Sequence, residues 1–426
     1  MSAPTSPAPT GAEGGSVVAD LLMETRLASP SGLGALVAAQ LARLGVEDPG
    51  LWLVDVQQHF LVPFGAGEQR GAASDELLAV DGTLAGWAYR SSEAQHAEGA
   101  DGVAVWVPLV DGADRLGVIG GRVPAWTPAL GHDLWLVATA TAHLVASQQQ
   151  FGDAVVRTRR LRSASLPAEV QWSLLPPLSF STARATVAGA LEPAYDIAGD
   201  SFDYAVGEDT VHLAVFDAMG HGLTAALMAS VAVGGYRHAR RGGLGLGATY
   251  DALDGALSAQ FGPDRFVTGI LAELDLHSGE LAYILAGHHP GLLLRSGRIV
   301  RHLHTSGRLP FGLGRELGPM PAATAWSEVG HESLEPGDRI LLYTDGVVEA
   351  RDLSGSFFGL ERLEELLVRE DASASSAPET VRRLVHAVLE YQDEALQDDA
   401  TLLLVEWHPD GPTATATATA RAGAPG

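Results

Sequence analysis

Four short acidic motifs lie in order between residues 198 and 401, each beside an apolar run typical of a β-strand. They are Ala198–Asp200, Asp217–Gly222, Thr344–Gly346 and Asp398–Thr401. If the four motifs form one site, the fold must bring the ends of several strands together. Aspartates that converge from strand ends, in a chain without cysteine, supply the oxygen ligands that hard divalent cations prefer. Two such cations bridged by water hydrolyse phosphate esters, so the motifs predict that chemistry.

The segment between the first two motifs predicts a β-hairpin. If Glu208 and Asp209 form its turn, Asp200 lies directly opposite Asp217. Opposed Cβ atoms in such a ladder are about 4.5–5.5 Å apart. Like charges this close repel, which favours a cation between them over the alternative of two solvated aspartates at strand ends.

The motif at 217–222 turns from a strand into a predicted helix at 222–239, and its glycines permit a tight turn. The carbonyl oxygen of Ala218 is a further candidate ligand. His221 is either a general acid or a residue that packs or caps at the helix start, and we favour the second interpretation.

The two later motifs also adjoin predicted strands. Asp345 follows the strand predicted at 339–343, and Asp398 precedes the one predicted at 401–406. Each motif alone is a common turn, but in this order both point to the same site.

Composition excludes several functions. The chain has 426 residues, enough for two or three domains, and a formal net charge of −25, which argues against nucleic acid and membrane partners. The absence of cysteine excludes disulfides and thiolate metal sites and fits a reducing cytoplasm. Neither a signal peptide nor a transmembrane run is present, so we expect a cytoplasmic protein.

Composition and periodicity divide the chain into five segments. We predict disorder at 1–15, a first domain at 16–146, a helical connector at 147–180, a second domain at 181–408 and a disordered tail at 409–426.

The sequence of the first domain predicts helices that alternate with hairpins. The predicted helices are 32–44, 84–91 and one from 131, and the predicted strands are 51–55, 59–63, 103–109 and 116–122. Asp111-Gly112 is the turn signal of the second hairpin. This order, with Gly82–Ala88, resembles a GAF sensory domain. The alternative is a dimerisation module of that shape without a ligand.

A helical stretch at about 132–177, which overlaps the end of the first domain and the connector, carries an approximate heptad seam that predicts a coiled-coil homodimer. The seam positions are Leu134, Val137, Thr141, Leu144, Gln148, Phe151 and Val155. The two polar positions weaken it, and the alternative is a helix that packs on its own domain. Pro167 interrupts the helix, and Ser165 is predicted to cap a short second helix that ends at Leu175.

The sequence of the second domain predicts an α+β fold in which mostly antiparallel strands are separate from the helices. The predicted helices are 222–239, 247–260, 360–369 and 377–394, and the predicted strands are 185–191, 201–206, 210–216, 266–274, 280–286, 291–295, 339–343 and 401–406.

The motifs of this domain resemble the metal-dependent protein phosphatases of the 2C superfamily, in particular the bacterial SpoIIE/RsbU-type branch. The residues that carry the resemblance are Gln171–Pro176, Glu192–Asp203, Asp217–Gly222, Ala286–Pro290, Leu334–Asp338, Leu342–Gly346 and Asp398–Thr401.

The resemblance implies an αββα sandwich with serine/threonine phosphatase activity and two Mn²⁺ or Mg²⁺ ions. Asp200 and Asp217 would act through a metal-bound water, Ala218 would lend its carbonyl, and Asp345 and Asp398 would complete the metal site. The implied substrate is a phosphorylated STAS-type anti-anti-sigma protein in a partner-switching pathway that regulates a sigma factor.

Some positions depart from the family pattern. Ala198 replaces a usual glycine, His289 replaces a common proline, and no arginine matches the phosphate-gripping residue of eukaryotic relatives. Because all four carboxylates are present, we expect an active enzyme. The alternatives are a sensor or adaptor that binds partners without turnover, and a two-metal phosphoesterase that acts on small molecules.

Overall fold

The computed structural model describes residues 11–65, 77–192, 195, 199–314, 329–393 and 398–409. The chain divides between Ser163 and Ala164 into two compact units. This division lies inside the connector predicted at 147–180. None of the described helices combines the length and apolar character needed to cross a membrane.

The N-terminal unit contains one six-stranded antiparallel sheet. Its helices are α1 (Gly11–Thr25), α2 (Leu33–Arg43), α3 (Leu84–Ser91), α4 (Pro128–Gln148) and α5 (Ala154–Arg159), and its strands are β1 (Glu47–Val54), β2 (Phe60–Pro63), β3 (Leu78–Ala79), β4 (Gln95–Gly99), β5 (Gly102–Asp111) and β6 (Asp114–Val123). The strand order is β3-β2-β1-β6-β5-β4. One apolar core lies between the sheet and α1, α2 and α4, and a smaller one lies under α3. Gly112 takes a positive φ of 64° in the turn between β5 and β6, as its sequence predicts.

Two predictions for this unit need correction. Helix α1 begins at Gly11, so residues 11–15 are helical rather than disordered. The seam helix does not continue to Val155, because α4 ends at Gln148 and Val155 belongs to α5. Gly152 lies between the two helices, and glycine costs a helix interior about 1 kcal/mol relative to alanine.

The seam residues of α4 pack within their own unit. Leu134, Val137 and Thr141 are buried there, and Leu144 packs against the same core. The alternative of a helix that packs on its own domain therefore describes α4 better than a coiled coil does. Phe151, by contrast, is 80% exposed.

The C-terminal unit has two antiparallel sheets with helices on both outer faces. Its helices are α6 (Leu166–Leu174), α7 (Leu223–Arg241), α8 (Leu246–Phe261), α9 (Asp345–Val348), α10 (Leu360–Ala372) and α11 (Ala377–Tyr391). Its strands are β7 (Ser179–Ser181), β8 (Ala185–Glu192), β9 (Asp200–Val206), β10 (Thr210–Ala218), β11 (Val267–Asp275), β12 (Glu280–Ala286), β13 (Leu292–Arg295), β14 (Arg298–His302), β15 (Gly330–Ser333), β16 (Arg339–Tyr343) and β17 (Ala400–Trp407).

Side chains that point alternately to the two faces of each strand form the apolar layers of this unit. The sheets have the orders β15-β12-β11-β10-β9 and β14-β13-β16-β17-β8-β7. In β17, Leu403 and Val405 face the core between the sheets, whereas Leu402 and Leu404 face α10 and α11. Successive side chains of a strand point to opposite faces, so one strand serves both layers. A third core joins the first sheet to α7 and α8.

Candidate active site

The predicted hairpin register is confirmed. Strands β9 and β10 pair antiparallel, and Asp217 lies opposite Asp200 in the ladder. Tyr343 at the end of β16 pairs with Leu402 near the start of β17. The motifs that follow β16 and precede β17 therefore emerge at one end of the second sheet.

A hydrogen bond joins the two sheets at this end. The Thr344 hydroxyl donates to Oδ2 of Asp200 over 2.6 Å, and the backbone N–H of Thr401 donates to the Thr344 hydroxyl oxygen over 2.9 Å. Thr344 and Thr401 are fully buried. The carboxylate of the first sheet is thus tied to the backbone of the second.

Gly346 allows the last two motifs to approach each other. A Cβ at this position would lie 1.9 Å from the carbonyl oxygen of Asp399. Any other residue would push the start of α9 away from β17. The glycine of the Thr-Asp-Gly motif therefore brings Asp345 close to Asp398.

A cleft of about 520 Å³ opens where these motifs meet. Its lining residues are Asp217, Ala218, Met219, Gly220, His221, Gly222, Phe266, Thr268, Asp345 and Asp398. Four of the five predicted site residues line it. The fifth, Asp200, is 3% exposed and lies in the wall behind.

The carboxylates raise one another's pKa. Burial, followed by the charges of Asp345 and Asp398, raises the pKa of Asp217 to about 7. Burial, with the charges of Asp217 and Asp399, raises the pKa of Asp200 well above its ordinary value. Burial also raises the pKa of Asp398. Ionised carboxylates at this edge are therefore costly unless positive charge joins them.

Sequence reasoning missed Asp399 and Gln171. Burial raises the pKa of Asp399 to about 7, although its Oδ2 accepts hydrogen bonds from the Asp200 N–H and from Nε2 of Gln171, each over 3.1 Å. The Gln171 amide also donates to the Asp200 carbonyl over 2.8 Å. The doublet Asp398-Asp399 and the motif Gln171–Pro176 were the available signals, but neither reveals which side chain points inward.

His221 neither packs nor caps. It is exposed in the cleft lining, and α7 has Gly222 at its N-cap without a side-chain hydrogen bond. The favoured sequence interpretation of this residue was wrong, since the first turn of α7 leaves the ring in the cleft.

The donor set suits a hard cation. Carboxylate oxygens and the Ala218 carbonyl are the ligands that Mg²⁺ and Mn²⁺ prefer. Oδ1 of the buried Asp399 has no hydrogen-bond partner among the described residues. Within the same ranges, no group of three or more acidic or histidine side chains is already arranged to hold a metal ion. The residues therefore fit a cation by chemistry and charge, and their ligand geometry is not preformed.

Comparison with known proteins shows that residues 207–408 match the family described as Stage II sporulation protein E (SpoIIE). The chain is 25% identical over 241 residues to the phosphoserine phosphatase RsbU of Bacillus subtilis (strain 168), which is 56% of this chain and 68% of RsbU. It is 27% identical to the phosphoserine phosphatase RsbP of the same organism, over 36% of this chain and 37% of RsbP. It is 32% identical to protein IcfG of Synechocystis, over 33% of this chain and 20% of IcfG.

Solved structures are also similar. The RsbU and RsbW domains of Rv1364c from Mycobacterium tuberculosis match with a TM-score of 0.45 and 28% identity, over 55% of this chain and 63% of that chain. The SiaA-PP2C domain of Pseudomonas aeruginosa matches with a TM-score of 0.45 and 22% identity, over 62% of this chain and 99% of that domain. The family match, at residues 207–408, lies in the C-terminal unit of the chain.

Proposed function

We propose that the C-terminal unit of this chain is a SpoIIE-type PP2C phosphatase that hydrolyses phosphoserine and phosphothreonine in a protein substrate. One observation carries the proposal: Asp200 and Asp217 face each other at the edge where Asp345 and Asp398 also emerge. Relatives named phosphoserine phosphatases share this part of the chain, which favours phosphorylated side chains as the target.

We propose Asp200, Asp217, Asp345, Asp398 and the Ala218 carbonyl as ligands of two Mn²⁺ or Mg²⁺ ions. When bound, such cations act as Lewis acids toward phosphoryl oxygens and activate water for in-line attack. The protein's own contribution is to collect the carboxylates at one edge, with Thr344 fixing Asp200 behind the cleft.

Arg265 is the candidate contact for the substrate phosphate. Its Nη1 lies 3.8 Å from the place that a Cβ on Gly220 would occupy, beside the cleft. The Arg265 side chain is exposed and makes no ion pair with the described residues. It therefore offers a guanidinium at the rim of an otherwise acidic cleft, where a dianionic phosphate would need one.

The substrate class that fits best is a phosphorylated STAS-type anti-anti-sigma protein in partner switching. The assay incubates the full chain with Mn²⁺ and either a phosphoserine STAS protein or nucleotides, and measures released phosphate. We expect release from the protein substrate. Binding of the protein without release would favour the adaptor alternative, and release from nucleotides alone would favour a small-molecule phosphoesterase.

The matched variants for this assay are Asp217→Asn and Glu208→Gln. Loss of Asp217 should lower turnover about 1000-fold or more, because metal Lewis-acid effects amount to several kcal/mol. Glu208 lies in the turn of the same hairpin, away from the cleft, and its variant should keep full turnover. Normal turnover by Asp217→Asn would refute the assigned site.

We propose in addition that the N-terminal unit is a GAF-like sensor that regulates the phosphatase and forms a homodimer. Phe151 is the seam residue to test, since it is 80% exposed whereas Leu144 packs in its own core. Phe151→Asp should lower the mass measured by light scattering from dimer to monomer and alter turnover. A wild-type chain that is already monomeric would contradict this arrangement.

A further inference from the structure

His288 is a buried histidine beside the cleft, and it is neither a proposed metal ligand nor a proposed phosphate contact. It follows β12, and its ring lies between the two sheets. Its Nε2 is 3.1 Å from the carbonyl oxygen of Tyr343 at the end of β16. Its Nδ1 is 3.0 Å from the hydroxyl oxygen of Thr268 in β11. One ring thus spans from the first sheet to the second.

The partners fix which nitrogen carries the proton. A carbonyl oxygen only accepts, so Nε2 of His288 must donate to Tyr343. Burial, with the charge of His289 as a smaller cause, lowers the pKa of His288 to about 3, so the ring is neutral near pH 7. Nδ1 of a neutral ring in this tautomer is an acceptor, and the Thr268 hydroxyl is the donor that faces it.

Thr268 connects this ring to the candidate site. Its hydroxyl oxygen lies 3.3 Å from Oδ2 of Asp217, in addition to the 3.0 Å contact with His288. The single hydroxyl hydrogen therefore has two acceptors, the imidazole Nδ1 and the carboxylate. Tyr343, at the other end of the ring, is two residues before Asp345. The chain of contacts Asp217–Thr268–His288–Tyr343 thus runs from one carboxylate to the backbone beside another.

We propose that Thr268 and His288 are a positioning pair that sets the orientation of Asp217 and its spacing from Asp345. This inference deepens the proposed function and rests on it only in taking Asp217 and Asp345 as cation ligands. Residues that hold metal ligands in place typically change metal affinity or activity by about 10–100-fold when they are removed. A pair that only fills space between the sheets would lack this effect.

The variants separate hydrogen bonding from packing. Thr268→Val keeps the shape and removes the hydroxyl, whereas Thr268→Ser keeps the hydroxyl. His288→Gln tests the ring, and His238→Ala is the matched control, since His238 is an exposed histidine near the end of α7. For each full-length variant, isothermal titration calorimetry gives the Kd for Mn²⁺, and phosphate release gives kcat and KM.

We expect Thr268→Val and His288→Gln to raise the Kd for Mn²⁺ about 10–100-fold, with Thr268→Ser and His238→Ala close to wild type. The KM for the phosphoprotein at saturating Mn²⁺ should be unchanged. An unchanged Kd in Thr268→Val would overturn the inference. So would an equal loss in Thr268→Ser, because the hydroxyl would then be irrelevant.

The wild-type chain provides a test that needs no folded variant. Nitrogen-15 NMR of labelled histidines should show His288 neutral with the proton on Nε2, and a charged ring or a proton on Nδ1 would overturn the inference. Wild-type protein that binds Mn²⁺ but releases no phosphate would refute the proposed function alone. Wild-type protein that binds no Mn²⁺ would refute both.

Discussion

At the scale of residues, the cleft combines mutually repelling carboxylates with an arginine at its rim. Asp217, Asp345 and Asp398 line the cleft, and Arg265 lies at its rim without an ion-pair partner among the described residues. In the proposed function, the cations and the Arg265 guanidinium together bind a substrate phosphate that the carboxylates alone would repel. The two contributions can be measured separately, as the KM for the phosphoprotein and the Kd for Mn²⁺.

Arg265→Ala should lower kcat/KM for the phosphoprotein about 10–100-fold, because a hydrogen bond to a charged group contributes about 1.5–3 kcal/mol. The loss should appear mainly in KM, and the Kd for Mn²⁺ should not weaken. The control is Arg241→Ala at the exposed end of α7, which should leave both constants unaltered. Equal KM values for Arg265→Ala and wild type would contradict a role for Arg265 in binding the substrate phosphate.

Asp114 gives a pH-dependent prediction in the N-terminal unit. Burial raises the pKa of Asp114 to about 6, with the charge of Arg159 lowering it and that of Asp111 raising it. The folded pKa lies above the unfolded value, so ionisation of Asp114 opposes folding. This penalty is absent below about pH 4, grows between pH 4 and 6, and is complete above pH 6.

Asp114→Asn should therefore be more stable than wild type at pH 8, by about 1–2 kcal/mol after allowance for partial exposure of the side chain. The difference should shrink toward zero at pH 4. Denaturation curves of both proteins at several pH values between 4 and 8 measure it. A difference independent of pH would show that Asp114 does not titrate as inferred.

At the scale of elements, α6 contacts the wall of the candidate site through the side chain of Gln171. Gln171 is fully buried and donates both to the Asp200 carbonyl and to the Asp399 carboxylate. The end of the same helix is held through Arg237, which donates to the Leu174 carbonyl and to Asp203. A displacement of α6 would therefore change the surroundings of two acidic residues at once.

Gln171→Leu should lower the free energy of unfolding of the C-terminal unit by about 1–3 kcal/mol, since it leaves buried acceptors without a donor. It should also change turnover, because Asp399 and the backbone of Asp200 lose a common partner. Urea denaturation and phosphate release measure the two effects. Ser173→Ala, on the exposed side of the same helix, is the control. A Gln171→Leu protein with wild-type stability and turnover would mean that the contacts of α6 with Asp200 and Asp399 do not affect the site.

At the scale of the whole molecule, the candidate site depends on two sheets meeting at one edge. Asp200 and Asp217 belong to the first sheet, and Asp345 and Asp398 flank strands of the second. Unfolding of the C-terminal unit separates these carboxylates, so a cation that binds all of them binds only the folded state. Stability should then follow cation concentration.

Mn²⁺ should raise the melting temperature of the C-terminal unit. At a concentration about 100-fold above Kd, linkage contributes about 2.7 kcal/mol, and a unit of this size gains about 2–4 °C per kcal/mol. The effect should vanish in the Asp200→Asn/Asp345→Asn double variant and in potassium chloride of equal ionic strength. A melting curve insensitive to millimolar Mn²⁺ would argue against a metal site.

Local sequence was enough to predict most elements and one long-range pairing. The strands predicted at 280–286 and 339–343 have those bounds in the structure, and the turn at Glu208 and Asp209 fixed the register that opposes Asp200 and Asp217. Alternation, turn residues and strand length are local properties of the chain, and a hairpin joins neighbours in sequence. This is why the α+β fold class and the opposition of Asp200 and Asp217 followed from sequence.

Only the tertiary structure decided which side chains line the cleft and which support it from behind. Asp399 points inward beside Asp398, Gln171 reaches across from α6, and His288 bridges the sheets. Each of these contacts joins residues far apart in sequence, and the direction of a side chain depends on what packs around it. The same reason explains α4, whose heptad pattern fits a coiled coil equally well until its partners in the N-terminal core are known.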